Sequence, residues 1–183
     1  TVPTHLQQAT AAAHFAYEEL GLRQTAVFHD NTEFNTLLAQ QFSDTFTGLG
    51  GTVSFQASLD AGQTEPEGVL AEAASHAPQL IYLALFEPEA VLLVNSLAGS
   101  NTLNRARLLG SDSLFSASFA SKMGDTNMLV TSPAFSGDAY DAFTAFWTIR
   151  YEAPPGSPGP VYTYDAALLL LEAIETVAEM GQT

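Results

Sequence analysis

The stretch QTAVFHDNTEFNTLLAQQFSDTFTGLGG, residues 24–51, contains the structural unit that the rest of the chain repeats. Its first seven residues contain a short apolar run and end in polar residues, which predicts a buried strand from Gln24 to Asp30. The following segment predicts a helix over 33–46, which the glycine-rich stretch GLGG, residues 48–51, terminates. Its apolar side chains lie on one face: Leu37, Leu38, Phe42 and Phe46. A buried strand followed directly by such a helix is the βα unit of a parallel sheet.

The same alternation extends in both directions from this unit. Upstream, Thr4 to Leu20 predicts a helix that Thr4 caps and Gly21 closes. Downstream, the pattern predicts strands and helices in turn: strands at 52–57, 79–85, 107–110 and 127–132, and helices at 66–75, 88–97 and 113–122. Parallel strands joined by right-handed crossovers carry helices on both faces of the sheet. The predicted fold class is therefore α/β, a three-layer α/β/α doubly wound parallel sheet of about five strands.

The sequence changes character after residue 135. An aromatic-rich helix is predicted over 137–151, and the stretch APPGSPGP, residues 153–160, predicts an irregular loop. A strongly apolar helix is then predicted over 164–180, and a helix of that kind requires partners on more than one side. We therefore divide the chain into an α/β lobe, 1–135, and a helical segment, 136–183.

Composition and motifs exclude several classes of function. The chain has 5 Lys and Arg against 20 Asp and Glu, a net charge of −15, so it would repel nucleic acid. The absence of cysteine excludes disulfides and thiolate metal sites, and no apolar run reaches the roughly 18 residues of a membrane span. Nucleotide-binding, nucleophile-elbow and zinc motifs are absent, and the four histidines have no metal-ligand spacing. We expect no enzymatic activity, no cofactor and no metal.

Candidate binding residues follow the ends of the predicted strands. Parallel strands end at one edge of a sheet, so these side chains are expected to lie together: Asp30, Asn31, Phe34, Phe86, Glu87 and Asp112. Aromatic rings beside carboxylates suit a small solute with an apolar body and a cationic group. A structural role stays open for three of them, since Asp112 could cap the helix at 113–122 and Asp30 or Asn31 could satisfy a turn.

Five blocks of the sequence resemble, in the same order, the second lobe of type I periplasmic binding proteins of the branched-chain amino acid group. They are the opening Thr1 to Phe34, LIYLALFEPEAVLLVNSLAG (80–99), LLGSD (108–112), GDTNMLVTSPAF (124–135) and YTYDAALLLLEAIE (162–175). The resemblance implies that Phe34 and Phe86 occupy aromatic ligand-contacting positions. It also implies that Asp112 engages the α-ammonium group of an amino acid.

The resemblance further implies the solute-binding component of an ABC-type importer, which closes two lobes on an amino acid or similar small organic solute and delivers it to a membrane permease. The protein would then be exported, to a periplasmic or extracellular location. The helices after residue 136 resemble segments that return to the first lobe; here they are expected to fold back on the α/β lobe or to pair with a second copy as a homodimer. The alternative function is a ligand-sensing domain of a signalling or regulatory receptor with the same lobe.

Overall fold

The computed structural model describes residues 4–60, 62 and 64–181. The backbone divides into two compact units, one ending at Ser132 and one beginning at Pro133. No helix of the described residues combines the length and the apolar character that crossing a membrane demands.

The first unit is built on a sheet of five strands, all parallel. They are β1 (Gln24–Asp30), β2 (Thr52–Leu59), β3 (Leu80–Ala84), β4 (Arg107–Gly110) and β5 (Met128–Val130). Their order across the sheet is β2-β1-β3-β4-β5, so the chain moves one way from β1 to β2 and then the other way to β3. The topological switch point therefore lies between β1 and β3. The predicted fold class is confirmed.

Five α-helices cover the two faces of this sheet. They are α1 (His5–His14), α2 (Glu33–Gly48), α3 (Glu67–Ser75), α4 (Glu87–Leu97) and α5 (Ala117–Met123). Because side chains alternate along a strand, Val27 and Tyr82 pack with α1 and α2, whereas Phe28 and Leu83 belong to the core on the other face, with residues of α3, α4 and α5. All residues of β3 are buried, as expected for the central strand of a three-layer domain.

Local signals account for the start and end of α1. The Thr4 hydroxyl accepts a hydrogen bond from the Gln7 backbone N–H, and the Gln7 side chain accepts one from the Thr4 N–H, which is a capping box. The helix continues as one π-helical turn, Phe15–Glu19, and the chain then turns at Gly21, whose φ of +68° favours glycine. The expected helix over 4–20 is thus present, with a π-helical final turn.

Three local predictions are wrong. Leu37 is 42% exposed, because it lies beside rather than within the face of α2 that Leu38, Phe42 and Phe46 bury. The predicted helix at 113–122 is instead a 3₁₀ turn, Asp112–Leu114, followed by α5, and Phe115 between them is not helical. The Ser116 hydroxyl accepts from the Phe119 N–H at 3.0 Å and caps α5, so Asp112 does not cap this α-helix.

The second unit contains α6 (Asp138–Tyr151) and α7 (Gly159–Glu179). The prediction of an irregular loop up to Pro160 is wrong by two residues, since Pro160 fits the first turn of a helix, where no backbone N–H is required. Within this unit Phe143 contacts Tyr164 at 5.0 Å between ring centroids, and Phe135 contacts Tyr162 at 5.3 Å. Most of the large apolar side chains of the two helices are nevertheless exposed, namely Phe146, Ile149, Leu168, Leu169, Leu170, Leu171, Ile174 and Val177.

Candidate functional site

The candidate site lies in the first unit, at the edge where β1, β3 and β4 end. Asp30 is the last residue of β1, Phe86 and Glu87 follow β3, and Asp112 follows β4. Since all three strands are parallel, their carboxyl ends share one edge, which we call the binding edge. The structure therefore brings the residues predicted from strand ends to one side of the sheet, beside the topological switch point.

Asp30 connects the ends of β1 and β3 to the start of α2. Its carboxylate accepts hydrogen bonds from the Thr32 N–H (2.9 Å) and hydroxyl (2.5 Å), the Asn35 side-chain amide (2.7 Å) and the Phe86 N–H (3.2 Å). Burial alone would raise the pKa of this carboxyl group, but these four hydrogen bonds outweigh burial and lower it. The carboxylate is thus ionised and occupied by donors of the protein itself.

Two aromatic rings project at the binding edge. Phe34, at the start of α2, and Phe86, just before α4, are stacked with 6.5 Å between ring centroids and 20° between ring planes. They are 39% and 41% exposed, although both are fully apolar. Asp30 accepts hydrogen bonds from the Phe86 N–H and from the side chain of Asn35, next to Phe34, so one buried carboxylate connects the two segments that carry the rings.

Asp112 lies in the short turn after β4. The Ser113 hydroxyl donates to the Leu85 carbonyl oxygen at 2.7 Å and lies 2.6 Å from the Ser111 hydroxyl, which ties this turn to the end of β3. The Asp112 N–H donates to Oε1 of Gln8 at 3.5 Å. Among the described residues, no donor contacts the half-buried Asp112 carboxylate. Asp112 therefore differs from Asp30, because its charge is available to another molecule.

Glu87 and Asn31 are engaged at the sides of the binding edge. The Glu87 carboxylate accepts from Lys122 and from the Ser118 hydroxyl at 2.8 Å, and the Lys122 contact is the main cause of its lowered pKa. This contact joins the start of α4 to α5. The Asn31 side-chain amide donates to Asp60 at 2.5 Å, which joins the ends of β1 and β2.

Two residues of α1 at this edge were missed by the sequence analysis. The imidazole of His5 packs edge-on against Phe34, with 6.0 Å between centroids, and Gln8 reaches the Asp112 N–H. His5 and Gln8 are three positions apart and so share one face of α1. A helix that precedes a strand and packs antiparallel to it begins near the end of that strand. The position of α1 before β1 could therefore have identified His5 and Gln8 as residues of the binding edge.

Two buried polar atoms lie beneath the site. The Tyr82 hydroxyl and Oδ1 of Asn35 are buried and have no hydrogen-bond partner among the described residues. Burial, with a contribution from the negative charge of Asp112, raises the pKa of Tyr82 far above its usual range, so this phenol stays protonated. Within the described part of the chain, no group of three or more His, Asp or Glu side chains is arranged to hold a metal. The arrangement offers aromatic surface and an open carboxylate, which suits binding.

Comparison with known proteins shows the family of this chain. The family described as "Periplasmic binding protein" matches residues 1–183. The Leu/Ile/Val-binding protein homolog 1 of Brucella abortus is 24% identical over 119 residues, which cover 65% of this chain and 32% of that protein.

Solved structures share the fold. A leucine binding protein, LivK, from Thermotoga maritima has a TM-score of 0.85 at 25% identity, covering 94% of this chain and 50% of that one. A solute binding protein from R. palustris in complex with 4-hydroxybenzoate has a TM-score of 0.80 at 17% identity, covering 98% and 50%. This chain therefore spans half or less of the length of these relatives. The family binds solutes and is not a family of enzymes, and the chain belongs to the periplasmic binding protein family.

Proposed function

We propose that this protein is the solute-binding component of an ABC-type importer and binds an amino acid or a similar small organic solute at the binding edge. The observation that carries this proposal is the half-buried Asp112 carboxylate, which accepts no hydrogen bond from the described residues and shares the binding edge with the stacked rings of Phe34 and Phe86. The rings would cover the apolar body of the solute, and the carboxylate would accept hydrogen bonds from its ammonium group.

The other predicted residues have supporting roles in this proposal. Asp30 would position Phe34 and Phe86 rather than contact the solute, because its oxygens already accept four hydrogen bonds. Asn31 and Glu87 would border the site. Lys122 contacts Glu87 and balances its charge. The negative charges of Asp30 and Asp112 remain, so the net charge of this region favours a cationic group on the ligand.

The proposed partner is a membrane permease, and the proposed location is periplasmic or extracellular, both by analogy with the family. In a two-lobed receptor each lobe contributes part of the binding free energy. If a complete receptor bound with a micromolar dissociation constant and half of the free energy came from this lobe, the lobe alone would bind at roughly millimolar concentration.

Replacing Asp112 with alanine is expected to weaken the binding of L-leucine and L-phenylalanine by roughly 10- to 100-fold, because a hydrogen bond to a charged group contributes about 1.5–3 kcal/mol. Binding of benzoate, which has no ammonium group, should not weaken. Two-dimensional NMR titration of the chain with millimolar and higher concentrations of the three compounds, following the backbone amide signals of Ser111 and its neighbours at the binding edge, measures this. Asp125→Ala removes an exposed carboxylate outside the binding edge and serves as the matched control. Equal affinities of the Asp112 variant and the unaltered chain would remove the ammonium role, and no binding of any of the three would contradict the proposed function.

We further propose that the chain forms a homodimer through the apolar side chains of α7. Leu169 and Leu170 are 66% and 62% exposed and adjoin other exposed apolar residues, and a patch of this kind promotes association with an identical copy. Sedimentation equilibrium should show a monomer–dimer equilibrium that Leu170→Glu weakens at least about tenfold. Leu37→Glu, an equivalent change at an exposed leucine of α2, should leave it intact. A monomer at all concentrations would exclude this dimer.

A further inference from the structure

The amino ends of the strands, at the opposite edge from the binding edge, hold most of the positive charge of this protein. Of the 5 Lys and Arg residues in the sequence, three lie there: Arg23, just before β1, Arg105, two residues before β4, and Arg107, the first residue of β4. The other two are Lys122 in α5 and Arg150 in α6. In a chain with 20 acidic residues, such a grouping creates a local positive region.

The three arginines differ in what their guanidinium groups contact. Arg23 donates to the carbonyl oxygens of Tyr17 (2.7 Å) and Leu22 (2.9 Å) and lies over the Tyr17 ring, so its donors are used within the fold. The guanidinium groups of Arg105 and Arg107 have no ion-pair or hydrogen-bond partner in the described residues. Two exposed cations thus lie together without a carboxylate that neutralises them.

Arg105 and Arg107 line two neighbouring cavities. One has a volume of about 440 Å³, and its lining includes Val94, Leu97 and Leu108, which belong to one core cluster, and the polar residue Asn127. The other has a volume of about 500 Å³ and includes Gln79 and Thr102. Both arginines are exposed and line both cavities.

This combination has a definite chemical preference. A guanidinium group is a planar set of N–H donors that matches a carboxylate in a bidentate arrangement, and it stays charged at every physiological pH. The apolar lining residues would cover a hydrocarbon body next to that carboxylate. Acidic residues elsewhere on the surface oppose anion binding only weakly, because their field is screened over about 8–10 Å in physiological salt. Asp125 precedes the lining residue Thr126 and is the acidic residue nearest in sequence to the cavity, but in the described residues it forms no ion pair with either arginine.

We propose that Arg105 and Arg107 form a second binding site, which takes the carboxylate of a small organic acid while the apolar body lies on Val94, Leu97 and Leu108. The site is distinct from the binding edge, since the length of β4, about 10 Å for three residue steps, separates Arg107 from Gly110. Its ligand also has the opposite charge preference, because Asp112 favours an ammonium group and the arginines favour an anion.

Hexanoate, hexanamide and inorganic phosphate are the probes for this site. The backbone amide signals of Thr126, Asn127 and Leu129 in two-dimensional NMR spectra of the chain report binding there, and those of Ser111 and Asp112 report the binding edge. We expect hexanoate to shift the first group at lower concentrations than the second. Hexanamide, which has the same shape without the charge, should bind at least about tenfold more weakly. Phosphate tests whether the apolar body contributes.

Arg105→Gln and Arg107→Gln are each expected to weaken hexanoate binding about tenfold, whereas Arg150→Gln, which makes the same change of charge in α6, should not. Both arginines are exposed and unpartnered, so the variants should fold, and circular dichroism checks that they do. Three results would overturn the proposal: equal binding of hexanoate and hexanamide, shifts confined to the binding edge, or phosphate binding as tightly as hexanoate. None of them bears on amino-acid binding at Asp112, so the two proposals fail separately.

Discussion

Replacing Asp30 with alanine is expected to lower the free energy of unfolding by about 3 kcal/mol or more, although the change removes only one carboxyl group. Two of the donors that contact it, the Asn35 side-chain amide and the Phe86 N–H, are held at 2.7 and 3.2 Å and would lose their acceptor. Each hydrogen bond to a charged group contributes about 1.5–3 kcal/mol. Urea unfolding followed by circular dichroism measures the loss.

The matched control is Asp44→Ala in α2. The Asp44 carboxylate accepts an exposed hydrogen bond from Gln40 at 2.8 Å, so its removal should change the free energy of unfolding by no more than about 0.5 kcal/mol. Similar losses for the two variants would show that the Asp30 hydrogen bonds do not stabilise the fold.

The same carboxylate makes stability depend on pH in a definite direction. The folded-state pKa of Asp30 is lower than its ordinary value of 3.8, so folding favours the ionised form. Its contribution is fully present above the unfolded-state pKa and is lost as the pH falls through the folded-state pKa, which places the loss below about pH 4. The Asp30→Ala variant should therefore lose less stability than the unaltered chain over that acid range.

Phe42→Ala should be at least as damaging, with an expected loss of about 3–5 kcal/mol in the free energy of unfolding. Phe42 is fully buried in α2, and its ring stacks on Tyr82 with 3.9 Å between centroids and 8° between planes. A second stacked contact joins it to Phe46 at 5.6 Å. Truncation would leave a cavity between α2 and the central strand, which these rings fill.

Leu37→Ala is the control on the same helix. Leu37 is well exposed, so its truncation should cost less than about 1 kcal/mol. Thermal and urea unfolding of both variants would compare them. If the leucine variant lost as much as the phenylalanine variant, the face of α2 that packs on the sheet would differ from the one described above.

Sequence patterns predicted the sheet well because each strand carries apolar residues and is separated from the next strand by a helix, and the central strand β3 is a continuous apolar run. The limits of β1 and β4 were predicted to the residue. Helix faces and helix starts were harder. Leu37 fits the helical period but falls at the edge of the buried face, and the start of α5 depends on Ser116, which competes with Asp112 as a cap.

The candidate site was predicted only in its location. Parallel topology brings the ends of β1, β3 and β4 together, and this rule requires no knowledge of side-chain contacts. The sequence does not predict whether a carboxylate at this edge accepts hydrogen bonds from the protein or remains available to a ligand. Asp30 contacts the N–H of Phe86, 56 positions away, and Glu87 contacts Lys122, 35 positions away, and no local pattern contains such pairs. Asp112, like Asp30 and Glu87, is an acidic residue at the end of a strand, but its carboxylate accepts no hydrogen bond from the described residues.

The hydrogen bonds of Asp30 also bear on how a lobe like this one could acquire new ligands. The carboxylate accepts hydrogen bonds from backbone and amide groups of the two segments that carry Phe34 and Phe86, and these bonds do not depend on either phenyl side chain. Either phenylalanine could then be exchanged for another side chain while the main chain beneath it keeps its course. Ligand preference and scaffold geometry would be inherited separately, and selection could alter the first without rebuilding the second.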